Sequence, residues 1–142
     1  VQVIKQYASG IPMVRMDKNR VEQIFLNIFM NAVDAMPAGG TLVIKAYSCV
    51  LDHIGDGVGR RGADVFKLNE RVVIVEVEDS GPGIPEDIFD KIFDPFFTTK
   101  HDKGGTGLGL SIIKNIMEMH NGRIVIRNRD QGGVNVTLTF RA

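Results

Sequence analysis

The sequence Asp79-Ser80-Gly81-Pro82-Gly83-Ile84 comes directly after a predicted strand at residues 71–78, in which valines alternate with other residues. A carboxylate at the end of a strand can accept a hydrogen bond from an amine of a ligand. Two spaced glycines would let that ligand approach the backbone closely. The same residues also suit a plain turn, because aspartate and glycine are both favoured in turns. The stretch therefore predicts either a binding site or a simple turn.

Outward from this stretch, hydrophobic periodicity predicts three helices and roughly six strands. The predicted helices are residues 17–36, 86–93 and 106–120. The predicted strands lie near residues 1–4, 13–16, 41–51, 71–78, 123–129 and 134–140. These elements do not repeat as βαβ units. The simplest architecture is an α/β two-layer sandwich (α+β), with a mixed β-sheet covered on one face by three main helices.

The composition limits the classes of protein that the chain can belong to. The 142 residues fit one domain, 1–142, and their 17 basic and 17 acidic side chains give a formal net charge of zero. An apolar content of 44% argues against disorder, and the balanced charge argues against general nucleic-acid binding. With Cys49 as the one cysteine, neither an internal disulfide nor a cysteine metal cluster can form. The absence of a long apolar run argues against membrane insertion.

A stripe of polar side chains follows the first predicted helix. Gln23, Asn27, Asn31 and Asp34 are spaced by four, four and three residues, which places them on one helical face. The other faces are apolar, which predicts a buried helix. The stripe then either meets solvent or lines a pocket. Asparagine is a poor helix former, which favours a site, and its amide oxygen is a suitable ligand for Mg²⁺.

A glycine-rich stretch leads into the third predicted helix, with the sequence Gly104-Gly105-Thr106-Gly107-Leu108-Gly109-Leu110. Backbone N–H groups at a helix N-terminus suit phosphate, although a flexible connector would have a similar composition. The spacing fits neither a P-loop nor the dinucleotide fingerprint.

Aromatic residues precede that stretch in Phe93-Asp94-Pro95-Phe96-Phe97-Thr98-Thr99-Lys100. Anchoring aromatics followed by a lysine and glycines are typical of a mobile lid, and Lys100 could reach phosphate oxygens. A surface loop pinned by core phenylalanines is the alternative interpretation.

In their order along the chain, these motifs resemble the ATP-binding catalytic domain of bacterial sensor histidine kinases, a family shared with gyrase and Hsp90 ATPases. Residues 27–32 look like its N box, and residues 79–84 look like its first glycine box. Residues 93–96 look like its F box, and residues 105–110 look like its second glycine box. Within this family the chain is most similar to nitrogen-regulator-type kinases.

The resemblance implies ATP and Mg²⁺ as cofactors, with Asn31 as the metal ligand and Asp79 as the acceptor of the adenine amine. It implies a flexible ATP lid at residues 98–104. Because Gly133 is followed by valine where the family usually has threonine, any hydroxyl contact there would move to Thr137. The implied ATP-binding residues are Asn27, Asn31, Asp34, Asp79, Gly81, Gly83, Ile84, Phe96, Lys100, Gly105, Thr106, Gly107, Leu108, Gly109, Leu110 and Thr137.

The implied function is to bind Mg-ATP and to supply the γ-phosphoryl group to a histidine on a separate dimerisation domain, for relay to the receiver domain of a response regulator. None of His53, His101 and His120 has the acceptor pattern, so we expect no catalytic residue in this fragment. Because the chain starts at Val1 within a predicted strand, we expect the dimerisation and sensor regions to lie upstream. We expect a monomeric, cytoplasmic fragment that does not phosphorylate itself, and the parent protein could be membrane-anchored.

Other functions within the same wider family stay open. A relative that hydrolyses ATP would carry a glutamate one turn before the metal-binding asparagine, and this chain has Asn27 there, which cannot take a proton. A serine-kinase anti-sigma regulator would be a self-sufficient chain. A nucleotide-sensing module without transfer chemistry is the remaining alternative.

Overall fold

One mixed sheet organises the chain. The structure, a computed structural model, describes residues 1–51, 69–95 and 109–142. The elements follow in the order β1 (Gln2–Tyr7), α1 (Lys18–Asp34), β2 (Thr41–Val50), β3 (Arg71–Asp79), a 3₁₀ helix (Glu86–Lys91), α2 (Gly109–Met119), β4 (Arg123–Asn128) and β5 (Val134–Arg141). The five strands lie in the order β1-β2-β3-β5-β4, with β1 parallel to β2 and the other neighbours antiparallel. The predicted fold class is confirmed.

The register of the strands gives the sheet two different faces. Leu42 lies opposite Asp79, and Val77 lies opposite Val136, so these four residues share the face that packs against the helices. Thr137 follows Val136 and therefore belongs to the other face. Asp79, the last residue of β3, thus lies on the helix side at one end of the sheet.

The hydrophobic core lies between that face and the helices. Ile24 of α1, Ile113 of α2 and Leu138 of β5 have no exposed surface. Burying one such side chain stabilises the fold by about 1.5–3 kcal/mol. The other buried apolar residues of the cluster include Val21, Ile28, Ala32, Met36, Leu42, Val73, Val77, Ile92, Ile116, Met117, Ile126, Val136 and Phe140.

The two α-helices are joined at their ends. Asp17 caps α1, because its carboxylate accepts a hydrogen bond from the N–H of Arg20. Helix α2 is followed by a residue in the left-handed conformation, Asn121 at φ 54°. His120 lies beside it, and its Nε2 accepts a hydrogen bond of 2.9 Å from the N–H of Asp17. The end of α2 thus supports the start of α1.

Three predictions about the elements are wrong. Residues 13–16 do not form a strand. Pro12 lacks an N–H donor and Met13 is 94% exposed, so the segment runs over the surface between β1 and α1. The predicted helix at 86–93 is a 3₁₀ helix of six residues, Glu86–Lys91, that begins after Pro85. The third error concerns α1.

Helix α1 is buried on one side only, although its composition predicts a buried helix. Leu26, Met30 and Val33 are 58%, 54% and 46% exposed. They lie on the side of α1 away from Ile24 and Ile28, because residues three and four apart share a face. An apolar side chain on a helix therefore does not by itself identify the core face.

Residues 52–68, between β2 and β3, and the predicted lid at 98–104 lie outside the described residues. Within the part of the chain that the structure describes, no helix is both long enough and apolar enough to cross a membrane.

Candidate functional site

A buried carboxylate forms the centre of the candidate site. Asp79 is only 7% exposed. Its Oδ1 accepts hydrogen bonds from the N–H of Gly81, at 2.9 Å, and from the N–H of Val134, at 3.3 Å. Among the described residues, both of these hydrogen bonds go to Oδ1. A buried carboxylate costs free energy unless it is hydrogen-bonded, and the two backbone donors offset that cost and fix its direction.

The turn between β4 and β5 contacts the backbone carbonyl group of Asp79. Nη1 of Arg129 donates a hydrogen bond of 2.8 Å to the carbonyl oxygen of Asp79. Gly133 has φ +90°, and a Cβ on it would collide with that carbonyl oxygen. Only glycine allows the turn to approach so closely. Neither contact could be predicted from the sequence, because the residues are about fifty positions apart and no local pattern links them.

The loop after Asp79 packs against the end of α1. A Cβ on Gly81 would lie 3.1 Å from the carbonyl oxygen of Ala35, which follows α1 directly. Ser80 strengthens the junction, since its hydroxyl accepts a hydrogen bond from the N–H of Thr41 and donates one to the sulfur of Met36. The structure therefore brings the stretch 79–84 to the end of the polar stripe of α1.

The polar stripe lies beside the core face of α1. Asn27 and Asn31 are half-buried, whereas Asp34 is exposed. The amide oxygens of Asn27 and Asn31 are of a type that can act as ligands of Mg²⁺. Among the described residues, no group of three or more His, Cys, Asp or Glu could hold a metal ion by itself. These donors fit a Mg²⁺ that keeps several waters and takes its other ligands from phosphate oxygens.

The remaining members of the first glycine box, Gly83 and Ile84, lie against the end of β4. Gly83 has φ +86°, and Ile84 is half-buried against the core. The backbone N–H and the carbonyl oxygen of Ile84 both bond to the side chain of Asn128, the last residue of β4. Sequence reasoning missed Asn128, because it lies 44 residues from its partner.

Helix α2 begins with the last two residues of the second glycine box. Gly109 and Leu110 are half-buried, and Leu110 packs against the core. The helix packs against α1, which carries Asn27 and Asn31. The other predicted residues of this region lie outside the described residues; they are Phe96, Lys100, Gly105, Thr106, Gly107 and Leu108.

Thr137 is not brought together with the other predicted residues. Its hydroxyl donates a hydrogen bond of 2.7 Å to Asn135 on the sheet face away from the helices. The amide of Asn135 bonds in turn to Glu76, which also accepts a 2.6 Å bond from the hydroxyl of Tyr47. Burial, together with this bond to Glu76, raises the pKa of Tyr47. Side chains alternate along β5, so Val136 and Thr137 lie on opposite faces of the sheet.

Glu78 belongs to the same outer face. Burial opposes its ionisation, but hydrogen bonds from Lys45 and Asn135 and the charges of Lys45 and Arg129 outweigh this effect, so that its pKa is lowered. Its Oε1 lies 3.1 Å from Nζ of Lys45. Glu78 therefore stays charged next to Asp79 and helps to hold Arg129, whose Nε lies 3.9 Å from Oε2.

Known proteins share both the sequence and the fold. The chain is 40% identical over 117 residues to the sensor kinase CckA of Brucella abortus, covering 78% of this chain and 11% of that protein. It is 36% identical over 128 residues to the sensory histidine kinase/phosphatase NtrB of Escherichia coli O157:H7, covering 87% of this chain and 32% of that protein. The chain therefore spans a third or less of these relatives.

The solved catalytic domain of histidine kinase ThkA has the same fold, with a TM-score of 0.73 and 30% identity over 99% of this chain and 79% of that one. ThkA has also been solved in complex with the response regulator TrrA, where the TM-score is 0.68 at 29% identity, over 98% of this chain and 33% of that one. Residues 16–142 match the family of histidine kinase-, DNA gyrase B- and HSP90-like ATPases. The chain therefore belongs to this ATPase family.

Proposed function

We propose that the chain is the ATP-binding catalytic domain of a sensor histidine kinase. It binds Mg-ATP and supplies the γ-phosphoryl group to a histidine on a separate dimerisation domain, for relay to a response regulator. The observation that carries the proposal is the buried carboxylate of Asp79, which two backbone N–H groups hold in place between glycines. The similarity to CckA, NtrB and ThkA supports it.

In the proposed site, Oδ2 of Asp79 accepts a hydrogen bond from the exocyclic amine of adenine. Such a bond to a charged acceptor contributes about 1.5–3 kcal/mol. Gly81 and Gly83 leave room for the base because they carry no side chain, and Ile84 borders it. A guanine would place a carbonyl oxygen against the carboxylate, and the repulsion between the two oxygens would exclude it.

The phosphates of ATP would lie between the two α-helices. Asn31 would hold Mg²⁺ together with phosphate oxygens and water, and Asn27 and Asp34 would face the same ion and phosphates. When bound, the ion would neutralise part of the negative charge of the phosphates. Gly109 and Leu110 start α2, whose N-terminal dipole favours negative charge. Lys100, Phe96 and the residues from Gly105 to Leu108 complete the proposed site.

The partners in this proposal are the dimerisation domain that carries the histidine and the receiver domain of a response regulator. ThkA, which has the same fold, was solved with the response regulator TrrA. The acceptor histidine is not proposed within this chain. His120, the one described histidine, uses both ring nitrogens to join α1 and α2.

A related domain that hydrolyses ATP is the alternative, and Asn27 counts against it. A side-chain amide cannot take a proton from the attacking water, so a general base is lacking at the position where hydrolysing relatives carry glutamate.

Calorimetry and a phosphate-release assay test these two parts of the proposal. We expect micromolar-range binding of Mg-ATP, weakened when EDTA removes the metal, and negligible release of phosphate by the isolated chain. Absence of ATP binding would contradict the proposed site. Vigorous phosphate release would favour the hydrolysing alternative.

A further inference from the structure

Asn128 holds the far end of the proposed adenine site. Its Nδ2 donates a hydrogen bond of 2.8 Å to the carbonyl oxygen of Ile84, and its Oδ1 accepts one of 2.8 Å from the N–H of Ile84. An amide side chain offers one carbonyl oxygen and one NH₂ group, so it pairs with the two backbone groups of one residue as a neighbouring strand would.

The segment that Asn128 contacts is not part of a helix or strand. Residues 82–85 belong to no helix or strand, so Ile84 has no strand partner for its backbone groups. Gly83 has φ +86°, and a Cβ on it would lie 2.9 Å from Oδ1 of Asn128. The amide therefore packs directly against Gly83 while it bonds to Ile84.

The loop of the proposed site is thus fixed at both ends. At one end the carboxylate of Asp79 binds the N–H of Gly81, and at the other end Asn128 binds Ile84. A base that lies between Asp79 and Ile84 can form a hydrogen bond with the carboxylate only if the separation of Asp79 and Ile84 is kept. Loss of either support would let the loop move and would weaken the discrimination between an amine and a carbonyl group.

We propose that Asn128 is a positioning residue for nucleotide selection, which holds Gly83 and Ile84 so that Asp79 reads the amine of adenine and rejects guanine. The proposal rests on the proposed function. Asn128 acts through Ile84 and need not touch the nucleotide itself.

Three variants separate this role from a general effect on the fold. Asn128→Ala removes both hydrogen bonds, and Asn128→Asp keeps the acceptor for the N–H of Ile84 but loses the donor. Asn135→Ala is the matched control, since Asn135 lies on the adjacent strand and also uses its amide to join two partners, Glu76 and Glu78, on the other face of the sheet.

Calorimetry with Mg-ATP and Mg-GTP on the 142-residue chain provides the test, with thermal unfolding as a check of the fold. We expect Asn128→Ala to weaken ATP binding roughly tenfold while GTP binding changes little, so that the preference for ATP falls. Asn128→Asp should give an intermediate preference, and Asn135→Ala should keep that of the wild type.

The outcomes distinguish the two proposals. An unchanged ATP preference in Asn128→Ala would overturn the role of Asn128 and leave the proposed function standing, as would an equal loss for both nucleotides. If Asn128→Ala does not fold, an unchanged preference in Asn128→Asp would overturn it. A wild-type chain with no preference for ATP would overturn both proposals.

Discussion

Gly133 shows at the scale of one residue how closely the site is packed. It has φ +90°, and a Cβ there would collide with the backbone of Asp79. The neighbouring Gly132 has φ +96°, but a Cβ on it would meet only the carbonyl oxygen of Gly81, at an ordinary contact distance of 3.9 Å. The two glycines share the same backbone requirement and differ in their surroundings. Substitutions at these two glycines therefore distinguish the cost of backbone strain from the cost of a steric collision with Asp79.

We predict that Gly133→Ala destabilises the chain more than Gly132→Ala does. The positive φ alone should cost about 1–2 kcal/mol in either variant. The collision with Asp79 should add about 1–3 kcal/mol in Gly133→Ala. Urea unfolding of both variants measures the difference. Equal losses would mean that the turn can withdraw from Asp79 without cost.

Asp79 itself should decide the affinity for adenine. In Asp79→Asn an amide can still accept the bonds from Gly81 and Val134, but it then presents an NH₂ group to the adenine amine. We predict a loss of roughly tenfold to a hundredfold in ATP affinity. Asp130→Asn, a change in the exposed β4–β5 turn, is the control and should bind ATP as the wild type does. Calorimetry that finds unchanged affinity in Asp79→Asn would refute the site assignment.

At the scale of the elements, strands β2, β3 and β5 are joined on the outer face of the sheet by Glu78. Its pKa is lowered from 4.5 by Lys45, Asn135 and Arg129 despite burial. A group whose pKa is lower in the folded chain stabilises the fold above its unfolded-state pKa, and this contribution disappears as the pH falls through the folded-state pKa.

We predict that the free energy of unfolding decreases below about pH 4.5 and that Glu78→Gln reduces this decrease by about 1 kcal/mol. Urea unfolding between roughly pH 3 and pH 7, a range that brackets the usual glutamate pKa, measures the effect. Glu22→Gln is the control, because Glu22 is an exposed helix residue whose ion pair with Lys18 is long, at 3.9 Å. A Glu78→Gln curve that runs parallel to the wild-type curve would contradict the prediction.

Helices and strands could be predicted from the sequence where the apolar residues of a long segment repeat at one constant spacing. Helix α1 and strands β2 and β3 were predicted within a few residues, because their apolar residues repeat at three to four or at two positions. The exposed stripe of Leu26, Met30 and Val33 was not predictable, since composition does not say which apolar face meets the sheet.

The candidate site was predictable only in part, for a related reason. Asp79, Gly81 and Gly83 lie in one short motif, so the sequence identifies them together. The hydrogen bonds that hold this motif come from Asn128, Arg129 and Val134, which are 44, 50 and 55 positions from their partners. Such contacts follow from the order β3-β5-β4 in the sheet, and that order has no local sequence signal.

At the scale of the whole molecule, one end of the sheet and the two α-helices together form the candidate site. Asp79 ends β3, α1 carries Asn27 and Asn31, and α2 starts at the end of the glycine-rich stretch. The end of α1 contacts the loop after β3, and α2 packs against α1. In the proposed function these elements hold the base and the phosphates of one nucleotide, and a separate domain provides the histidine.

In the proposed function, this chain delivers a phosphoryl group to a histidine on another domain. Incubation with γ-labelled Mg-ATP and a purified histidine-containing dimerisation domain tests it directly, with the Asp79→Asn variant as the control. We expect an acid-labile, base-stable label on the dimerisation domain with the wild-type chain and a strongly reduced label with Asp79→Asn. Release of labelled phosphate to water without any labelled domain would contradict it.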